Sequence, residues 1–242
     1  MLRYTLSNNI EGGNNLKRYS LITEKFPREF LLLQGTGCRW AKCTFCDYHS
    51  DASQSPFEVN KEVLKLVTGV YGVLDIINSG SAMELDNYTI EMIKHVVKSK
   101  EIKTLWFEAH YMYRHKLADF AKQFAPATVK FRCGIESFDP QLRAIWKKGV
   151  PATVTPNDVA KYFKGVCLLC CCTGDTKERI VNDITIAREK FEYFSVNLFC
   201  NNSTPVKRDD ELCEWFVKEL YPSLKNDTQA EVLIENCDLG VG

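Results

Sequence analysis

Phe30-Leu-Leu-Leu-Gln34-Gly35-Thr-Gly37-Cys38-Arg-Trp-Ala-Lys-Cys43-Thr-Phe45-Cys46 carries the reading of the whole chain. Its first five residues form a short apolar run of strand character, and two glycines then break it. Three cysteines follow within nine residues, at positions 38, 43 and 46. A loop of that length folds around one metal centre, and soft thiolates select zinc or iron–sulfur clusters. A structural zinc normally takes four ligands. His49 is the only nearby fourth donor, so a Cys3His zinc site stands beside the cluster reading. Three cysteines around a cubane leave one iron without a protein ligand, free to bind a small molecule.

The run before the loop is the first of a series. Residues 73–78, 103–108, 129–136, 164–171, 193–199 and 231–235 are likewise short, apolar and rich in β-branched or aromatic side chains. Near-continuous apolar runs suit parallel strands covered on both faces. Helical patterns lie between them, with readable starts. Asp139-Pro140 and Thr155-Pro156 place a capping oxygen before a first-turn proline. Residues 175–178 read as a capping box, after which Ile180, Ile184, Ala187 and Phe191 fall on one helical face. Asp86 caps a helix over 87–100. Six βα units and a terminal strand predict an α/β fold: a partial, open (βα)6 TIM-like barrel of parallel strands over 30–242, with an open doubly wound sheet as the alternative. The whole chain, 1–242, reads as a single domain. Residues 1–29 form an N-terminal extension, expected as a small hairpin turning at 11–15. In either architecture ligands collect at the carboxyl ends of the strands.

Composition narrows the partners. Lys+Arg and Asp+Glu are both 31, so the formal net charge is zero. Polynucleotide binding draws on a basic excess, which is missing, and a small-molecule partner is expected instead, with no nucleic acid polymer. The first 13 residues hold no apolar run of signal-peptide length, and no stretch is long enough to span a bilayer. A cytoplasmic location and no membrane partner are expected. The 11 cysteines then read as metal ligands or buried small hydrophobes rather than disulfides. Cys167, Cys170, Cys171 and Cys172 invite a second cluster, but consecutive strand residues face opposite ways, and buried packing is the favoured reading.

The loop and the strand ends together resemble the radical S-adenosylmethionine (SAM) superfamily. Its cysteine motif usually has three residues, then two, between the cysteines, with an aromatic before the third. Here the spacing is four, then two, and Phe45 is the aromatic. Residues 78–84 stand where the family carries a Gly-Gly-Glu-Pro-like turn. Cys133-Gly-Ile-Glu136-Ser137-Phe is similar to the family's Gly-Val-Gln-Ser-Phe, residues 172–176 to its Pro-Gly-Glu-Thr and residues 201–205 to its Gly-Thr-Pro. Within the superfamily the chain resembles the small queuosine-salvage lyases, which release queuine from queuosine or its 5′-phosphate. Rival readings are a 7-carboxy-7-deazaguanine synthase-like enzyme, a glycyl-radical activase, and a non-enzymatic zinc-binding interaction module.

The resemblance implies a 4Fe–4S cluster on Cys38, Cys43 and Cys46, and SAM chelated to its open iron. It implies cofactor contacts from Phe45, Gly80, Ser81, Ala82, Glu136, Ser137, Lys148 and Asn197. An electron donor such as flavodoxin or ferredoxin would reduce the cluster. Trp40 and Phe45 would shield it. Glu108 and Glu136 are the catalytic candidates. Asp47, Tyr48, Glu108, His110 and Glu235 are the expected contacts to a nucleoside or nucleotide, with Asn236 and Asp238 ending the last strand beside them. His95 and His115 read as surface residues.

Overall fold

A computed structural model describes residues 16–242. The turn expected at 11–15 lies outside them. Among the described residues eight strands form one sheet in sequence order. They are β1 (Tyr19–Ile22), β2 (Arg28–Leu33), β3 (Val73–Asn78), β4 (Thr104–Ala109), β5 (Thr128–Glu136), β6 (Gly165–Cys170), β7 (Tyr193–Leu198) and β8 (Ala230–Leu233). From β2 to β8 every neighbouring pair is parallel. Six crossovers therefore join seven parallel strands, as the alternating pattern predicts, and the sheet curls into a half-barrel. β1 pairs antiparallel with β2. This hairpin turns at residues 23–27, so it is not the one expected at 11–15, and it extends the sheet edge because its second arm is the first barrel strand. The expected boundary at residue 30 falls inside β2.

Helices α1 (Pro56–Lys65), α2 (Asn87–Ser99), α3 (Leu117–Lys122), α4 (Pro140–Ile145), α5 (Pro156–Ala160), α6 (Lys177–Lys190), α7 (Asp210–Trp215) and α8 (Tyr221–Leu224) fill the crossovers. Asp86 caps α2 through Thr89 N, Asp139 caps α4 through Gln141 N, and Thr155 and Asp158 close a capping box on α5. The box expected at 175–178 does not form. Thr176 is the cap of α6. Asp175 instead accepts from Cys171 N at 2.9 Å and pairs with Arg179. The carboxylate is worth more beside a half-buried guanidinium than at a helix end.

Two-residue alternation sorts the strands into two layers. On β4, Leu105, Phe107 and Ala109 are buried against the helices while Trp106 and Glu108 face the barrel interior. Phe107 packs on Phe120, Phe124 and Phe131, and truncating such a buried ring to Ala costs about 3–5 kcal/mol. The outer layer is thus apolar and fixes the helices. The inner layer is free to carry polar chemistry. Its lower part is a charge layer. Arg28 and Arg132 both bond Asp75 (2.8 and 2.6 Å), and Arg28 also bonds Glu231 (2.7 Å). Among the described residues no helix is long and apolar enough to cross a membrane.

Candidate active site

The cysteine loop leaves β2 under tight control. Gln34 N donates to Asn60 Oδ1 at 2.7 Å and Gly35 N to Ser79 Oγ at 2.8 Å. A Cβ on Gly35 would meet that Oγ at 3.0 Å, so glycine permits the close approach. The four-residue spacer between Cys38 and Cys43 turns at Ala41, whose φ is +43°, and Ala41 N donates to Cys38 Sγ at 3.4 Å. Neighbouring strand ends hold the loop down. Arg39 N bonds Glu84 Oε1 (3.0 Å), Thr44 N bonds Trp146 O (3.0 Å), and Asn202 Nδ2 bonds Phe45 O (2.8 Å). Trp40 Nε1 donates to Lys147 O at 2.7 Å, and its indole stacks on His110 and lies against Gly149.

The three thiols are free, half-buried and open into one cavity of about 250 Å³ at the carboxyl ends of the strands. Burial pushes Cys43 up to about 11, with the Lys148 ammonium pulling the other way, so a metal must displace protons there. His49 sits on an exposed turn and does not line the cavity. The Cys3His zinc alternative therefore lacks its fourth ligand.

The far wall is built around a strained residue. Glu136 ends β5 with φ +66°, next to a register shift between Gly134 and Glu136. A side chain held in the left-handed region costs of order 1–3 kcal/mol and marks functional sites. The twist aims Glu136 at Lys148, 2.8 Å away, and both are buried. Burial works against the lysine's charge, but the Glu136 carboxylate keeps it protonated. A Cβ on Gly134 would lie 3.1 Å from Glu136 Oε1, 3.2 Å from Glu108 Oε1 and 3.3 Å from Lys148 Nζ. Two carboxylates and one ammonium thus close around a spot only glycine leaves open. Burial pushes the Glu108 carboxyl up, opposed by Arg132. Its nearest partners are loose: Arg132 Nε at 3.7 Å and the Cys167 thiol at 3.6 Å. On β7, the buried Oδ1 of Asn197 has no hydrogen-bond partner among the described residues, which leaves it an acceptor open to a ligand's donor.

The cavity wall includes Cys38, Cys43, Phe45, Cys46, Asp47 and Tyr48 from the loop, and Gly80 and Ser81 after β3. It also includes Glu108, His110, Glu136, Lys148, Asn197 and Glu235 from the later strand ends. Two expected contacts are not on that wall. Ala82 opens the turn Ala82–Glu84 and packs into the core. Ser137 is fully buried, its Oγ accepting from Asp139 N and its carbonyl from Arg143. Each follows by one residue the last cavity-lining residue of its strand end, Ser81 or Glu136, and the local turn points it away. Cys170, Cys171 and Cys172 are buried packing residues, off the cavity wall.

Sequence reading missed Arg132, Cys167, Tyr193 and Ser195, which floor the cavity. Stepping back by twos from Glu136 and Asn197 would have found Gly134, Arg132, Ser195 and Tyr193. Nothing local signalled Leu239 and Val241, which also line it.

An open barrel of parallel strands whose first crossover carries three free thiols into a cavity partly walled by charged side chains is the architecture of the radical SAM enzymes. No family model and no curated protein matches the chain. A solved structure does: the queuine lyase from Clostridium spiroforme, bound to SAM and queuine, superposes with a TM-score of 0.89 at 39% sequence identity. The match covers 94% of this chain and 99% of that one. Within the radical SAM class the chain belongs to the queuine lyase family.

Proposed function

We propose that this chain is a radical SAM lyase that releases queuine from a nucleoside or nucleotide carrying it. The observation that carries the reading is the match along nearly the whole chain to a queuine lyase bound to SAM and queuine. The geometry agrees with it. Three free thiols from one loop open into one cavity and supply the donor type a 4Fe–4S cluster takes, and charged side chains on the same wall suit the polar ends of SAM. When bound, cluster and SAM supply the difficult chemistry, one-electron cleavage of SAM to a 5′-deoxyadenosyl radical that takes a hydrogen atom from the substrate.

The chain's own residues hold and orient. Cys38, Cys43 and Cys46 ligate the cluster, and Phe45, packed edge-on against Trp146, keeps water from it. Gly80 and Ser81, the Glu136–Lys148 pair and the unpaired Asn197 Oδ1 receive SAM's polar ends. Glu108, with acceptor capacity to spare, takes the donor edge of the deazaguanine base. Asp47, Tyr48, His110 and Glu235 stand around the remainder of the substrate. The electron comes from a donor outside the chain. All eleven cysteines are free thiols, which supports a reducing, cytoplasmic compartment, and the zero net charge supports a small-molecule partner over a nucleic acid.

The test is anaerobic reconstitution followed by turnover with SAM, a reductant, and queuosine or its 5′-phosphate, with base release read by mass spectrometry. Queuine and 5′-deoxyadenosine should both form. Cys38→Ala should lose iron and sulfide. Gly134→Ala should keep the cluster yet lose base release, because its methyl occupies the space between Glu108, Glu136 and Lys148. Deoxyadenosine without queuine from either substrate would remove the lyase reading. A colourless protein holding one zinc would remove the class.

A further inference from the structure

The cluster loop has an outer side, and that side is charged. Segments 35–46 and 140–149 contain five Lys or Arg and no Asp or Glu, in a chain whose formal net charge is zero. The two segments are stitched together by the Trp40–Lys147 and Thr44–Trp146 hydrogen bonds. Of the five cations, Arg143 and Lys148 are buried. Arg39, Lys42 and Lys147 are exposed, and none of them forms an ion pair among the described residues. Lys42 lies over the Trp40 ring at 5.1 Å. Ile145, at the end of α4, is 69% exposed. The three exposed cations are thus next to Trp40 in space or sequence, Ile145 is an exposed apolar side chain two residues from Lys147, and the Glu84 carboxylate beside Arg39 is taken by Arg39 N. This face lies over the loop that brings Cys38, Cys43 and Cys46 to the cavity.

Unpaired exposed cations add little to folding stability, whereas a single-sign patch steers an oppositely charged partner and raises its on-rate. Small, weakly held interfaces with a few apolar contacts are typical of electron-transfer encounters. We infer that this face, Arg39, Lys42 and Lys147 around Trp40 and Ile145, docks a small acidic electron-transfer protein that reduces the cluster. The inference rests on the radical SAM reading above. The transfer balances simply: the carrier loses one electron, the cluster gains one, and no covalent bond forms or breaks in that step. Trp40 sits between the docked surface and the cavity, so the carrier's redox group approaches over an aromatic ring instead of through water.

The experiment compares reconstituted wild-type enzyme with the Arg39→Glu, Lys42→Glu, Lys147→Glu chain, each driven either by chemically reduced flavodoxin, an acidic carrier, or by dithionite, which needs no docking. Flavodoxin-driven formation of 5′-deoxyadenosine should fall about tenfold or more in the variant, and its Kd for flavodoxin should rise by a similar factor. The dithionite-driven rate should be unchanged. The wild-type flavodoxin rate should drop as salt is raised, since exposed charges are screened within about 10 Å at 0.1 M. If the reversed chain also loses dithionite-driven cleavage, the neutral set Arg39→Gln, Lys42→Gln, Lys147→Gln decides on the same measurements. Equal flavodoxin rates and equal Kd in variant and wild type overturn the docking face. So does a wild type driven by dithionite and not by flavodoxin. A wild type that cleaves no SAM with dithionite overturns the underlying reading instead.

Discussion

His110 follows β4 with both ring nitrogens engaged: Nε2 lies 2.6 Å from Lys148 O, and Nδ1 accepts from Met112 N at 3.1 Å. A ring that donates through one nitrogen and accepts through the other carries a single proton. Burial, helped by the Lys148 ammonium, accordingly lowers its pKa from 6.5 to about 4. The sign follows from linkage. Below pH 6.5 the unfolded chain takes up a proton that the folded chain refuses until about pH 4. Unfolding therefore becomes easier as pH falls through that window, by up to about 1.4 kcal/mol per unit from this group, and above pH 6.5 the group has no effect. Urea melts of the wild type and His110→Gln between pH 7 and pH 4.5 should diverge in slope, the variant being flatter. Parallel slopes would contradict the assignment. The sequence marked His110 as a mouth residue by its position after a strand. Its tautomer was illegible there, because Lys148 lies 38 residues away.

At the scale of the element, the segment after β8 decides between two readings of Glu235, Asn236 and Asp238, a solvated tail or a chain that closes off the barrel. Lys17 and Gly242 exchange backbone hydrogen bonds (2.9 and 3.4 Å), and Ser20 Oγ of β1 donates to Leu239 O at 2.5 Å. The segment spans the gap between the last strand and the first and turns Leu239 and Val241 toward the cavity. A radical site must exclude stray hydrogen donors and water. Replacing Leu239 and Val241 by Ser should therefore raise the ratio of 5′-deoxyadenosine to queuine formed, by about threefold or more if solvent quenches the radical before the substrate does. A ratio equal to wild type would show that this wall does not seal the site. Elements with strong local signals were legible in advance. The strand runs and the caps Asp86, Asp139 and Thr155 stand where the sequence puts them. The α6 cap moved one residue because Asp175 found a tertiary partner in Arg179, which no local pattern encodes.

At the scale of the whole molecule, the barrel is held at its base by charge. Asp75 receives both Arg28 and Arg132, and Arg28 also meets Glu231, which accepts from Tyr193 OH at 2.6 Å. Five strands, β2, β3, β5, β7 and β8, are joined through this layer. Burial opposes ionisation of Asp75, but the Arg132 and Arg28 guanidiniums prevail and hold its carboxyl below the ordinary range. Asp75→Asn would leave two buried guanidiniums undercompensated and should cost about 3–5 kcal/mol, read as a shift in the urea midpoint. A loss below about 1 kcal/mol would mean the layer relaxes into water, and its role in closing the barrel would fall. The same layer floors the active cavity through Arg132 and Tyr193, so fold and site share a boundary.

By itself the sequence determined the order of strands and crossovers, the helix starts at 86, 139 and 155, and the thiol loop after the first barrel strand. Each of these is written in contiguous residues, where periodicity, capping and spacing act over a few positions. Only the tertiary structure decided what faces what. It brought Glu108, Glu136 and Lys148 together around Gly134, bonded Asp75 to two arginines, and ran residues 239–242 back against β1. Those outcomes depend on contacts between residues 12 to more than 200 positions apart. They are set by packing and desolvation across the whole barrel, which no local stretch of chain can record.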